Sequence, residues 1–419
     1  MAPQYAPSLR SRLAPLLLLL QTGFIVVFAF YVDIETHSFN TDLTSNFYAE
    51  FQDVHVIVFL GFGFLSTFLI RYGFSGVGFN LLVAATATQW AILLNGLESW
   101  YHRGKISLNL RSLVVADMCT ASALISIGTV LGKTNPVQLT ALPCWSLLRV
   151  RSAVCANTFL HRAAKVQLLN SIMQLHIFGL FGLALTWVLY RRGSEQRFEK
   201  EKSGYESGLF SMMGSVFMWM FWPSFNSVLV DERTPERHLE VVCGTYLALA
   251  AGAVAAAAVA VLLNPEGKLS LVQLQSCIQA GGVAVGVSAS AVHQPWEAMT
   301  IGFSAAVLSA VGVQYLKVHM LLAHQCQDTR NVLSTHGIPG LLGWTAHLLL
   351  QLWDSEDHTM AIRFAVFHLC TLFVTLTLSL LMGIITGILL KWNFWRTPQD
   401  KKCFDDQAFW EFPHLAVRK

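Results

Sequence analysis

Charge is scarce in this sequence. Asp, Glu, Lys and Arg together supply 13% of its 419 residues, about half of the roughly 25% typical of a soluble domain. That scarcity excludes an ordinary water-soluble globule. The formal net charge of +3 gives no electrostatic footing for nucleic acid. Paired cysteine spacing is missing as well. There are eight cysteines and no C-x-x-C, and Cys119, Cys243, Cys277 and Cys370 fall inside apolar runs. They read as small core residues, neither disulfides nor metal ligands. No N-x-S/T sequon occurs, so N-glycosylation is not expected. There is no nucleophile elbow, phosphate loop or metal-ligand cluster, so neither an enzyme nor a cofactor is expected.

What the chain has in quantity is apolar runs of bilayer length. Hydrophobic residues make up 54% of it, and runs of about 20 residues recur throughout, the length a helix needs to cross a membrane. In lipid each backbone polar group must be bonded internally, and no residue alternation of the β-barrel kind is present, so the runs are expected to be helices. The fold class is therefore all-α and polytopic. Twelve candidate spans are expected, at 13–32, 54–71, 76–95, 112–132, 137–160, 172–190, 209–230, 241–263, 271–292, 296–315, 332–352 and 362–391. No long soluble segment separates them, so 13–392 reads as one membrane domain between tails 1–12 and 393–419. The first run lacks a small-residue cleavage site and reads as a retained helix.

Lysine and arginine placement sets the expected orientation. With the N-terminus inside, cytoplasmic segments hold 18 of the 28 Lys and Arg, external segments hold eight, and Arg149 and Arg151 fall inside the fifth span. The first external loop carries Asp33, Glu35, Asp42, Glu50 and Asp53 without one basic residue, whereas the loop after the sixth span carries Arg191, Arg192, Arg197, Lys200 and Lys202. Both termini are then cytoplasmic. The fifth span fits least well: each of its arginines costs about 2.5–3.5 kcal/mol at membrane depth, and Pro143 adds a kink.

Ionisable groups at membrane depth are costly and so become functional candidates. His176 lies in Gln174-Leu-His-Ile-Phe-Gly179 and His336 in Ser334-Thr-His-Gly-Ile-Pro-Gly340, each followed by a pair of glycines, Gly179 with Gly182 and Gly340 with Gly343. Their spans are five apart, which suggests two five-helix repeats, spans 2–6 and 7–11, of opposite membrane orientation. Packed interior histidines bonded to carbonyls are the plainer alternative, and His347 and His368 also lie in apolar spans. Asp117, in the fourth span, is expected to bond backbone or hydroxyl groups, in a structural or a transport role. Trp219, Phe221, Trp222 and Phe225 crowd the seventh span as packing or an interface belt. In the same span Pro223 is expected to break the helix, and Asn226 puts a polar group at membrane depth. Glycines in Ala280–Gly286 read as close helix packing.

Several stretches resemble the Rh branch of the ammonium transporter superfamily: Asp53–Phe64, Gln89–Leu94, Val130–Lys133, Phe217–Ser227 and Ala280–Gly286. The tail Phe404–Val417 is similar to that of the erythroid, non-glycosylated Rh blood-group polypeptides, as is the missing sequon. The resemblance implies an ammonium-transporter-like fold with an inverted repeat, a plasma-membrane location and a trimeric assembly. Each subunit would have its own apolar pore, with two facing histidines and an outer phenylalanine gate. By this resemblance His176 and His336 line the pore, Phe225 is one gate residue and Met118 stands where transporting members carry the other phenylalanine. Leu168 stands where those members carry an aspartate, with Asn170 the nearest polar residue, and the fifth span matches poorly.

Two roles follow from the resemblance. In the first, the chain is a channel for ammonium/ammonia, passing neutral ammonia, with ammonium itself and carbon dioxide as further candidates for the same route. A bare ammonium ion pays heavy desolvation in an apolar pore, whereas ammonia gives up only hydrogen bonds. In the second, motivated by the tail match and by Leu168 and Met118, the chain is a non-conducting subunit of an erythrocyte Rh complex, in a homotrimer or a heterotrimer with Rh glycoprotein-type subunits, joined through its tail to an ankyrin-type cytoskeletal adaptor. A coupled secondary transporter is less well supported, because few buried charges are available.

Overall fold

The computed structural model describes residues 8–35, 41–143, 179–190, 203–230, 234–355, 357–395 and 406–411. Each expected span other than 137–160 and 172–190 has a helix in its place. The fifth is described only to residue 143 and the sixth only from 179, so Arg149, Arg151, Leu168, Asn170 and His176 lie outside the described residues.

The helices are α1 (Leu9–Tyr31), α2 (Phe47–Phe68), α3 (Gly73–Arg103), α4 (Leu110–Val130), α5 (Gly179–Leu189), α6 (Tyr205–Ser227), α7 (Pro235–Leu263), α8 (Leu271–Ser288), α9 (Pro295–His324), α10 (Ile338–Trp353) and α11 (His358–Leu390). Among the described residues, eight helices are long and apolar enough to cross a membrane. Local signals account for several ends. Asn109 caps α4 in a reciprocal box with Ser112. Pro235 and Pro295 open α7 and α9, where their missing N–H costs nothing. Gly104, at φ +72°, closes α3 in the left-handed conformation. Ser8 caps α1, so that helix starts at Leu9, ahead of the apolar run.

Two features depart from expectation. Pro223 does not break α6, which continues through it to Ser227. The proline sits within the last turn and a half, so it disturbs only bonds close to where the helix ends anyway. A two-stranded parallel ladder, β1 (Val32–Ile34) with β2 (Ile106–Leu108), also forms beyond the ends of α1 and α3. It is pinned by Lys105 on Asp33, 3.2 Å, and by Asn109 donating to Glu35, 3.0 Å.

Packing follows residue size. The α7–α9 seam is built of alanine and glycine, and a Cβ on Gly302 would overlap the Ala248 carbonyl. A Cβ on Gly281 would come within 2.6 Å of the same oxygen, so the glycine-rich run serves close approach, as small residues do between membrane helices. Large apolar side chains such as Leu19, Phe30, Val254 and Phe373 face outward, which suits lipid. Cys243 and Cys370 are exposed on that surface too, which corrects their reading as core residues; Cys277 is buried and Cys119 half-buried.

Candidate pore and its polar lining

His336 lies in a π-turn, Leu333–Gly337, that leads into α10. Asp328 secures the turn by accepting from the Leu333 amide at 2.8 Å, and Pro339 starts the helix proper. The imidazole is buried and stacks against Phe62 of α2, ring centres 6.3 Å apart. Gly179, three residues beyond His176, packs on the same turn: a Cβ there would meet Val332 at 3.1 Å and the Gly337 amide nitrogen at 3.7 Å.

Below His336 is a cavity of about 10 Å³, at the threshold for one water-sized molecule. Phe62, Leu65, Phe68, Ile125 and Val332 give it an apolar wall, and Gln275, Gln279 and Arg330 a polar one. Lys133 donates to the Gln327 carbonyl at 2.6 Å, Asn135 to the Trp395 carbonyl at 2.6 Å, and Arg12 to the Phe394 carbonyl at 2.7 Å. The loop after α9, the segment after α4, the end of α11 and the start of α1 therefore share one end of the bundle. Arg330 belongs to that loop, so the cavity sits between His336 and this end.

Several of its polar groups are unsatisfied. Both amide atoms of Gln279 and Nε2 of Gln275 have no partner among the described residues, although both side chains are buried. Oε1 of Gln275 accepts from Ser211 at 2.8 Å. The Arg330 guanidinium donates no hydrogen bond among the described residues. Burial pulls it down to about 10, with Asp328 acting in the opposite sense, so it stays charged at neutral pH. The spacing of Gln275 and Gln279, four apart on an apolar helix, was a usable sequence signal for a polar stripe. Arg330 had none.

The other candidates lie away from this cavity. Asp117 is buried; its Oδ2 meets His55 Nδ1 at 2.9 Å and its Oδ1 accepts from Thr88 at 3.5 Å. The hydroxyl partner matches expectation, and His55 is a residue that sequence reasoning missed. Met118 and Phe225 are both buried in the main apolar core, Phe225 with its ring 5.6 Å from that of Trp222. Asn226 donates to Thr245 at 3.2 Å and to the Gly282 carbonyl at 3.0 Å, which ties α6 to α7 and α8. His347 and His368 stack on each other, ring centres 4.6 Å apart. No group able to hold a metal ion occurs among the described residues.

A helical bundle of bilayer-length apolar elements, with lone polar groups gathered inside around a space for one small molecule, defines a polytopic membrane protein of the channel or transporter class. Comparison narrows this. The profile of the Ammonium Transporter Family matches residues 16–407. Ammonium transporter Rh type C of Canis lupus familiaris is 37% identical over 442 residues, covering 97% of this chain and 95% of that protein. Ammonium transporter Rh type A of Bos taurus is 38% identical over 410 residues, covering 94% and 93%. The solved structure of Nitrosomonas europaea Rh50, from work on conduction by the Rhesus family of channels, superimposes with a TM-score of 0.78 at 26% identity, covering 91% of this chain and 97% of that one. The chain belongs to the ammonium transporter family, in its Rh branch. Candida albicans Mep2, with a TM-score of 0.65 at 16% identity over 85% of this chain and 87% of its own, shares the fold.

Proposed function

We propose that this protein is an Rh-type channel that passes neutral ammonia, with His176 and His336 lining the pore and Phe225 and Met118 forming its outer gate. The observation that carries the reading is the buried His336 over a cavity sized for one small molecule, in a chain of this family. Gly179, three residues beyond His176 in sequence, touches the His336 turn. Asp117 and Asn226 act as polar ties between helices, one through His55 and the other through Thr245 and Gly282. An imidazole offers one acceptor and one donor, which suits ammonia in an otherwise dry passage. Carbon dioxide needs neither group and would share the route.

The same reading covers location and assembly. The protein is a plasma-membrane trimer with both termini cytoplasmic; the basic loops support the side, and Arg12 donating to the Phe394 carbonyl supports placing the two ends on the same side. Resemblance of the tail supports the erythroid type, with Rh glycoprotein-type subunits and an ankyrin-type adaptor as partners. The membrane domain spans 13–392.

A second reading is favoured by Met118 at the gate position: a non-conducting structural subunit of an erythrocyte Rh complex. Ammonia permeability of the purified protein in liposomes separates the two. Conduction requires flux above empty liposomes, and the structural role requires none.

A further inference from the structure

We propose that Arg330 turns the cavity beneath His336 into a filter that accepts ammonia through its lone pair and turns back ammonium. This rests on the conduction reading and adds to it a residue that decides which protonation state reaches the inner end.

The argument starts from hydrogen-bond valence. A guanidinium has donors and no acceptor. Ammonia brings one lone pair and can accept from it. Ammonium has no lone pair, so it can only donate, and Arg330 gives it nothing to donate to. Charge acts in the same direction. Two unit positive charges a few ångströms apart in a protein interior repel enough to lower occupancy on the order of a hundredfold or more. The cavity, at about 10 Å³, leaves no room for a hydration shell that would soften that repulsion.

The arginine is built into place. It is 8% exposed, and its stem lies across α4, where a Cβ on Gly128 would come within 2.9 Å of its Cδ. It makes no ion pair among the described residues. Asp328, the nearby acid, accepts from the Leu333 amide through Oδ2; its Oδ1 has no hydrogen-bond partner among the described residues, and it does not line the cavity. Gln279, wholly buried with both amide atoms unpartnered among the described residues, and Nε2 of Gln275 complete a wall that needs a small polar guest. Among the lining residues Arg330 is the one Lys, Arg, Asp or Glu, so the fixed charge facing a guest is positive and a neutral molecule with a lone pair fits better than a cation.

The test uses full-length protein in liposomes with two readouts: the internal pH change on an ammonia gradient, and ammonium-dependent current under an imposed inside-negative potential. Wild-type protein is expected to give ammonia flux and no current. Replacing Arg330→Gln is expected to open an ammonium current about tenfold or more above wild type and to lower ammonia flux, whereas Arg330→Lys keeps the current closed because it keeps the charge. Arg330→Met provides a second neutral variant should Arg330→Gln fail to fold, as judged by size exclusion. An ammonium current in wild-type protein overturns the filter without any variant. So does a neutral variant that conducts ammonia yet carries no ammonium current. Absence of ammonia flux from wild type overturns instead the conduction reading beneath it, and the filter falls with it.

Discussion

Asp406 and Ser75 lie 331 residues apart in sequence, yet the carboxylate of Asp406 caps the amino end of α3, accepting from the Ser75 amide at 2.9 Å and from the Phe74 amide at 2.8 Å. Trp410 then lays its indole over Gly78 and Phe79 and donates to the Ser75 hydroxyl at 3.0 Å. Residues 406–411 are thus a clasp on the bundle.

Replacing Asp406 by Ala removes an N-terminal cap and a charge that complements the helix dipole. A loss of about 1–2 kcal/mol is expected. Thermal unfolding in detergent should show a lowered midpoint, and limited proteolysis should cut the tail faster than in wild type. Unchanged values for both would mean that the clasp contributes nothing.

Asp117 predicts an asymmetry. Asp117→Ala removes the acceptor of His55, whose side chain is partly exposed, while Thr88 keeps the Ala84 carbonyl and Thr120; the loss should be about 1 kcal/mol. Asp117→Asn keeps an acceptor and should cost less. Equal melting points for the two variants would remove the His55 pairing as the reason for a buried acid here.

The α7–α9 seam gives a steric prediction. Gly302→Ala would drive a methyl into the Ala248 carbonyl, and overpacking of this kind costs about 1–3 kcal/mol. Gly23→Ala, on α1 with nothing within 4 Å of the added carbon, should be neutral or slightly stabilising. Yield and melting temperature of the two variants should diverge; similar behaviour would mean that the seam relaxes freely.

The helices and the polar interior differed in how far sequence revealed them. Bilayer-length runs announced the spans because hydrophobic length is a local property, and His336 stood out through its own neighbours, Gly337 and Pro339. His55 beside Asp117, Arg330 beneath His336 and Asp406 on α3 all depend on contacts between distant segments, which leave no local trace. The β1–β2 ladder falls in the same class, since its strands are three residues each and carry no readable alternation. Pro223 failed in the opposite way: a strong local rule was outweighed by its place near a helix end. Asn226 was legible as a polar residue at membrane depth, but its partners Thr245 and Gly282 were not.

The most direct measurement of the central claim is stopped-flow ammonia permeability of liposomes containing wild-type protein, His336→Ala and His176→Ala, matched for protein content. Wild type should exceed empty liposomes, and each replacement should reduce that excess by about tenfold, the worth of one polar contact of roughly 1.4 kcal/mol. Wild-type rates in both variants would contradict the pore assigned to these histidines.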